Sequence, residues 1–227
     1  LNQFLTVIDE RKVDRFLDAL THSDSDIRDF AFSALKLFKR APQYIKDKIT
    51  VGRFNNMLGF LTSEGSVYAS ECVSLYIEFN SEVAKKCISE TLLLELIAKI
   101  KQRHPAWHIF YASLKNFGCL NSEAITEQVL INIMNLEEAP EQQLSSVDSY
   151  FILIAALDLL KSFASFNKSA VTNYIFEQLF IKLTSDNFIH NSWRVGRVLD
   201  HLEILILNNP ESAKGFMTET LLRNTMP

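Results

Sequence analysis

The segments Val67-Tyr68-Ala69-Ser70-Glu71-Cys72-Val73 and Phe110-Tyr111-Ala112-Ser113-Leu114-Lys115-Asn116-Phe117 repeat the triplet Tyr-Ala-Ser at an interval of 43 residues. Leu153-Ile154-Ala155-Ala156-Leu157-Asp158-Leu159-Leu160 places an Ala pair a further 43 residues on, and Asp29-Phe30-Ala31-Phe32-Ser33-Ala34-Leu35-Lys36-Leu37-Phe38 carries the same mixture upstream. In each segment large apolar side chains flank a small one at helical spacing. The small residue lets a neighbouring helix approach closely, so the pattern predicts helices stacked on helices.

Working outward, each segment ends on punctuation of one kind. Ala41-Pro42-Gln43, Asn80-Ser81-Glu82, Asn121-Ser122-Glu123, Asn167-Lys168-Ser169 and Asn209-Pro210-Glu211 follow one another at 39, 41, 46 and 42 residues. Asn and Ser suit helix ends and caps, and Pro suits a first helical position, where its missing N–H costs nothing. Each mark therefore reads as one helix stopping and the next starting. Two further registers agree. His104-Pro105-Ala106-Trp107-His108-Ile109 and His190-Asn191-Ser192-Trp193-Arg194-Val195 lie 86 residues apart, with Val147-Asp148-Ser149-Tyr150-Phe151-Ile152 between them. After the marks, Ser89-Glu90-Thr91-Leu92-Leu93, Thr126-Glu127-Gln128-Val129-Leu130 and Thr218-Glu219-Thr220-Leu221-Leu222 set a capping residue before an apolar helix. The unit so defined has a short helix (81–88), a second helix (91–101) and a long third helix (105–120).

In this helix order and unit length the chain resembles the armadillo family, with two-helix HEAT repeats as the close alternative, from Val13 to the C-terminus. The resemblance implies an all-α fold, a right-handed superhelix (α-solenoid) of about five repeats in one domain spanning 1–227. The repeats fall near 1–41, 42–80, 81–121, 122–167 and 168–209, with a partial copy at 210–227. One departure stands out: the family commonly has Gly before the second helix, where this chain has Glu90, Glu127 and Asn173. A solenoid presents a long surface in place of a closed pocket, and in the armadillo family the third helices line it.

Composition agrees with long helices and short loops: 17 Phe against 6 Gly and 5 Pro in 227 residues. A net charge of −4 is too mild to select nucleic acid through bulk electrostatics. The apolar run Tyr150–Leu157 falls far short of a membrane span of ~20 residues. Cys72, Cys87 and Cys119 sit inside apolar helical patterns and are expected as buried, reduced thiols, which points to the cytoplasm or nucleus. The sequon Asn167-Lys168-Ser169 has no secretory segment with it. A start at Leu1 and not Met suggests a piece of a longer protein.

The candidate partner-binding residues follow from the third helices. Trp107, Tyr150 and Trp193 open three of them and would form an aromatic row, with Arg194, Arg197 and His108 beside it and Tyr111 as a further candidate. Armadillo proteins that hold extended basic peptides carry a ladder of Trp and Asn along this surface. Here only Asn116 falls on the Asn position, while Leu75, Ser162 and Ile204 fill the others and Ala112 stands for the Trp. Lys36, Lys39, Arg40, Lys46, Lys48 and Arg53 form a basic cluster, which suits solvated helix ends or an acidic or nucleic-acid partner. His104 and His108 have the i, i+4 spacing of a metal pair but no third ligand close in sequence, and no phosphate loop or nucleophile–base motif is present.

The expectation is a non-enzymatic scaffold or adaptor, with no metal, no cofactor and no membrane span, binding a peptide or helix of another protein. The rival expectations are an armadillo-type nucleotide exchange co-chaperone for Hsp70 and a chromatin or nucleic-acid-associated scaffold. Self-association through Met217, Leu221 and Leu222 of the partial repeat is a further expectation.

Overall fold

The computed structural model describes residues 10–40, 43–102, 104–138, 146–184 and 192–225. Every regular element among them is a helix. The chain forms two compact units, Leu1–Ile88 and Ser89–Pro227, whose boundary falls inside the third sequence repeat.

The first unit contains α1 (Glu10–Ala19), α2 (Ser25–Lys36), α3 (Gln43–Lys46), α4 (Val51–Glu64), α5 (Val67–Phe79) and α6 (Ser81–Cys87). α1 packs on α2, α4 on α5, and the short α6 against both α4 and α5. The second unit contains α7 (Glu90–Lys101), α8 (Trp107–Leu120), α9 (Glu127–Met134), α10 (Ser146–Phe166), α11 (Asn173–Thr184), α12 (Ser192–Asn208) and α13 (Pro210–Thr225). Here α10 packs against both α8 and α12. α7 backs α8, α9 backs α10 and touches α7, and α11 backs α12 and α13.

The second helices begin for one local reason. Thr50, Ser89 and Thr126 have extended backbones, and their hydroxyls accept from the N–H groups of Arg53, Leu92 and Val129 three residues on. The aliphatic residue before each cap, Ile49, Ile88 or Ile125, is buried, as is Val171 before Thr172. It anchors the turn in the core while the backbone changes direction.

The third helices end on asparagines that share one backbone conformation. Asn80 has φ −149° and ψ 80°, Asn121 −131° and 83°, and Asn167 −133° and 87°. The sequence predicts a cap at these marks, and Asn80 does accept from the Val83 N–H. The structure adds a bond over long sequence distance. Asn80 Nδ2 donates to the Lys46 carbonyl at 2.9 Å and the Ile49 carbonyl at 3.5 Å. Asn167 Nδ2 donates to the Ile125 carbonyl at 2.8 Å. Asn209 Nδ2 donates to the Lys168 and Val171 carbonyls at 2.9 and 3.1 Å. Ile49, Ile125 and Val171 hold equivalent places, just before the cap of the second helix. The asparagine at the end of a repeat thus clasps the turn near that repeat's beginning.

A second polar bond joins neighbouring repeats. The Thr126 hydroxyl donates to Glu90 at 2.6 Å, and the Thr172 hydroxyl donates to Glu127. Glu90 and Glu127 are the residues that stand where the armadillo pattern has Gly. Their side chains reach the cap of the following repeat, so the departure has a structural use here.

Two elements differ from the sequence reading. The expected short first helix is a full helix in α6 but only a 3₁₀ turn at Ser122–Ala124 and Lys168–Ala170. Thr126 and Thr172 follow their asparagines by five residues, too few for a helix before the next cap. At the C-terminus, the expected start of a helix at Thr218-Glu219 is absent, because α13 runs unbroken from Pro210 to Thr225. Before the other caps a buried aliphatic residue anchors the extended turn, whereas Met217 is half exposed. Phe216 instead holds this segment as helix, stacked on Phe176 of α11 at 5.9 Å.

The small residue at a close helix approach is Gly118 of α8. A Cβ there would stand 2.5 Å from Cε1 of Phe163 on α10, a ring with no solvent exposure. The ring cannot move aside in a close-packed core. Gly118→Ala is therefore expected to lower stability by about 1–3 kcal/mol, as read by urea unfolding; an unchanged midpoint would show that α8 and α10 can separate freely. Asn80→Ala removes a buried donor from two carbonyls and a cap. A loss of about 2 kcal/mol is expected, against under about 0.5 kcal/mol for Asn116→Ala on the exposed side of α8. Equal losses for the two would refute the clasp.

Candidate protein-binding face

The packing of α8 against α10 brings three polar side chains together near solvent. Tyr111 Oη donates to Asp158 Oδ2 at 2.5 Å, and Lys115 Nζ donates to the same oxygen at 2.8 Å. Tyr111 and Lys115 are one turn apart on α8 and share a face. Asp158 is the one charge within the run 150–160 of α10, and it stands 43 residues after Lys115, one repeat. Opposite charges in one register on adjacent repeats therefore meet across the helix row.

Electrostatics in this brace follow from the geometry. Burial alone would raise the Asp158 carboxyl. The hydrogen bonds from Lys115 and Tyr111 and the charges of Lys115 and Lys161 outweigh it, holding the carboxyl below its ordinary value. Burial, and then the neighbouring carboxylate, push the Tyr111 phenol up to about 12. Tyr111 so remains a donor throughout the neutral range.

Around the brace, the exposed side of α10 continues with Ile154 one turn before Asp158 and Phe151 a further turn back. Leu199, Ile206 and Leu207 are exposed on α12. Ala112 and Asn116 are exposed on α8. Exposed apolar groups thus occur on α10 within one to two turns of Asp158, and on α12.

The expected partner-binding residues fall out unevenly. Trp107 opens α8, half-buried, with its ring edge-on to His108. Tyr111 is drawn into the brace, and Asn116 stands exposed on the same helix. Arg197 on α12 pairs with Asp200 at 3.1 Å. The side chains of Tyr150, Trp193 and Arg194 lie outside the described residues, so the aromatic row is represented by Trp107 alone. Lys115 and Asp158 were not among the expected residues; their opposite charges at one repeat spacing are the signal that marks them.

The basic cluster in the first unit is largely compensated. Lys36 approaches Glu71 at 3.7 Å and covers the Phe32 ring at 4.1 Å, and Lys39 pairs with Glu78 at 2.8 Å. Lys48 and Arg53 both reach Asp14, at 3.2 and 2.7 Å, and Arg53 also reaches Asp18. The Arg53 hydrogen bond is the leading cause holding the Asp14 carboxyl below its ordinary value. Lys46 is exposed, and the side chain of Arg40 lies outside the described residues.

The thiols differ in setting. Cys72 is buried, its thiol pushed up to about 12 by desolvation, and Cys87 is half-buried. Cys119 is exposed, against the expectation of burial, because it falls on the outward stripe of α8 with His108, Ala112 and Asn116. His104 Nδ1 accepts from the Ala106 N–H, which ties it to the turn before α8. Among the described residues no group of His, Cys, Asp and Glu is arranged to hold a metal ion, and no helix is long and apolar enough to cross a membrane. Met217 is half exposed, while Leu221 and Leu222 lie outside the described side chains.

The depressed Asp158 carboxyl sets a pH dependence. A carboxyl held low in the folded chain contributes stability that is present above its ordinary value of 3.8 and is lost as pH falls through the folded value. Asp158→Asn should cost about 1 kcal/mol at pH 7, and the gap between variant and parent should close in melting curves recorded well below pH 3.8. A gap of constant size down to the acid limit would mean that the brace carries no charge-dependent stability.

No family model, no curated protein and no solved structure matches this chain, so the character of the face rests on its own chemistry.

Proposed function

We propose that the chain is a non-enzymatic interaction module, an α-solenoid of the armadillo or HEAT kind that holds a segment of another protein along α8, α10 and α12. The observation that carries this reading is the exposure of Ile154 on α10 and Leu199 on α12, two helices in contact. Large apolar groups that the fold leaves in water favour a partner that covers them.

The charges on the row narrow the partner. Asp158 is bound by Lys115 and Tyr111, and Asp200 by Arg197. With these charges satisfied internally, affinity would come from apolar contact, as for an amphipathic helix laid along the face. The Asn116 amide supplies only one rung where a ladder for an extended basic peptide needs several. The ion pairs of Lys36, Lys39, Lys48 and Arg53 likewise weaken the case for the basic cluster as a nucleic-acid surface. No feature of the described residues favours the Hsp70 exchange reading over the general one.

The test is capture of partners from cell extract by the full chain, with identification by mass spectrometry. The double variant Ile154→Glu/Leu199→Glu should lose a specific partner by at least about ten-fold while its melting temperature stays within a few degrees of the parent. Trp107→Ala/Trp193→Ala serves as a second pair at the helix starts. Partners retained by both double variants would place binding elsewhere and overturn the proposal. Salt-sensitive DNA binding abolished by reversing Lys39 and Arg40 would favour the nucleic-acid rival instead.

A further inference from the structure

The mark Asn80-Ser81 sets a small residue after an asparagine, and in an open chain the main-chain nitrogen of such a residue attacks the asparagine side chain. The fold holds Asn80 against that chemistry. The residue is buried, with 8% of its surface exposed. Nδ2 donates to the Lys46 carbonyl at 2.9 Å and the Ile49 carbonyl at 3.5 Å, and Oδ1 accepts from the Val83 N–H at 3.2 Å. The Asn80 N–H donates to the Tyr76 carbonyl, and the Asn80 carbonyl accepts from the Ala84 N–H. Attack on Cγ needs the Ser81 nitrogen on the same side of the Asn80 Cα–C bond as Cβ. At ψ 80° that nitrogen lies almost opposite Cβ, out of reach of Cγ.

We infer that Asn80 is a deamidation site which the closed second repeat protects, and whose conversion to aspartate holds that repeat open. In the reaction the Ser81 nitrogen bonds to Asn80 Cγ as the bond from Cγ to Nδ2 breaks. The proton of the Ser81 nitrogen leaves with Nδ2 as ammonia. Water then opens the cyclic imide at one carbonyl or the other, which gives aspartate or isoaspartate. The ring cannot close until ψ of Asn80 turns far from 80°, so the junction of α5 and α6 must first come apart. Aspartate keeps an oxygen for the Val83 N–H, so the start of α6 retains its cap. At the other atom a carboxylate oxygen replaces the donor, facing two carbonyls with no proton to share in a site largely closed to water. Isoaspartate further lengthens the main chain between the two helices. Asn209 makes the same clasp, but Pro210 after it has no N–H and cannot follow this route.

The experiment incubates the full chain near neutral pH, folded and in urea, and follows the mass gain of deamidation at Asn80 by peptide fragmentation. The reaction should run at least about ten-fold slower in the folded chain. Ser81→Pro removes the attacking N–H at a first helical position, which suits proline, and should abolish the reaction in urea. Asn80→Asp should unfold at a lower urea midpoint than the parent near neutral pH. That gap should narrow as pH falls to the ordinary carboxyl value of about 3.9, because the protonated carboxyl regains an O–H donor. A folded chain that deamidates as fast as the unfolded one would overturn the inference. So would an aspartate chain as stable as the parent near neutral pH, or a gap that does not change with pH. Where the aspartate chain does not fold near neutral pH, the two rates of the parent still decide whether the closed repeat protects Asn80.

Discussion

Each repeat must end one long helix and start the next within a few residues, inside the protein, without stranding main-chain carbonyls away from water. An unpaired carbonyl there costs as much as a lost hydrogen bond, and a helix end has several. One asparagine answers this need. Its main chain breaks the third helix in the same conformation at Asn80, Asn121 and Asn167. At Asn80, Asn167 and Asn209 its amide nitrogen satisfies carbonyls in the turn that opens the second helix of that repeat. Asp in this place would turn a donor into an acceptor facing a carbonyl, and Ser would be too short to reach. The clasp explains why positions 80, 167 and 209 hold asparagines and not merely helix breakers.

Once each repeat is closed, neighbours are joined by fewer and more variable contacts. Thr126 and Thr172 each meet a glutamate of the preceding repeat, and Thr126 also caps its own helix. The brace of Tyr111 and Lys115 with Asp158 does similar work on the other side of α8 and α10. Polar bonds of this kind carry less stability than the apolar packing beneath them, where Phe110, Leu114, Phe117, Leu160 and Phe163 are almost fully buried. What they add is register. A hydroxyl or ammonium that meets its carboxylate in one alignment resists sliding of the helices, which the apolar contacts alone would tolerate.

The all-helical fold was legible because helix periodicity and punctuation are local signals. The bounds of α6, α7 and α8 lie within two residues of the ranges read from Ser81, Thr91 and Pro105. The asparagines were legible as marks, but their second use was not, since pairing a side chain with a carbonyl 31 to 42 residues away requires the folded repeat. The unbroken α13 was misread for a related reason. Thr218-Glu219 has the local signature of a helix start, and a local signature cannot report that Met217 lacks the burial that anchors the other turns. Cys119 shows the limit again: an apolar neighbourhood in sequence gives a residue's helix, while its side of that helix depends on the neighbours that pack there.

The face was less legible than the fold because the residues that draw the eye in a sequence are not those that the packing leaves available. Trp107 and Tyr111 attract attention as large amphipathic groups, yet one is half-buried against its own helix start and the other spends its hydroxyl on Asp158. The basic cluster is conspicuous as a string of lysines and arginines, and the fold sets acidic side chains beside most of it. Ile154 and Leu199, by contrast, look like ordinary core residues in apolar runs. Only the stacking of α8, α10 and α12 turns them outward, so an apolar group in a core-like run becomes the notable feature when the structure leaves it exposed. A charge-balanced surface with exposed apolar groups discriminates by shape and by excluding water, not by long-range attraction. Under the proposed function, selectivity would then lie in the spacing of the partner's own apolar side chains.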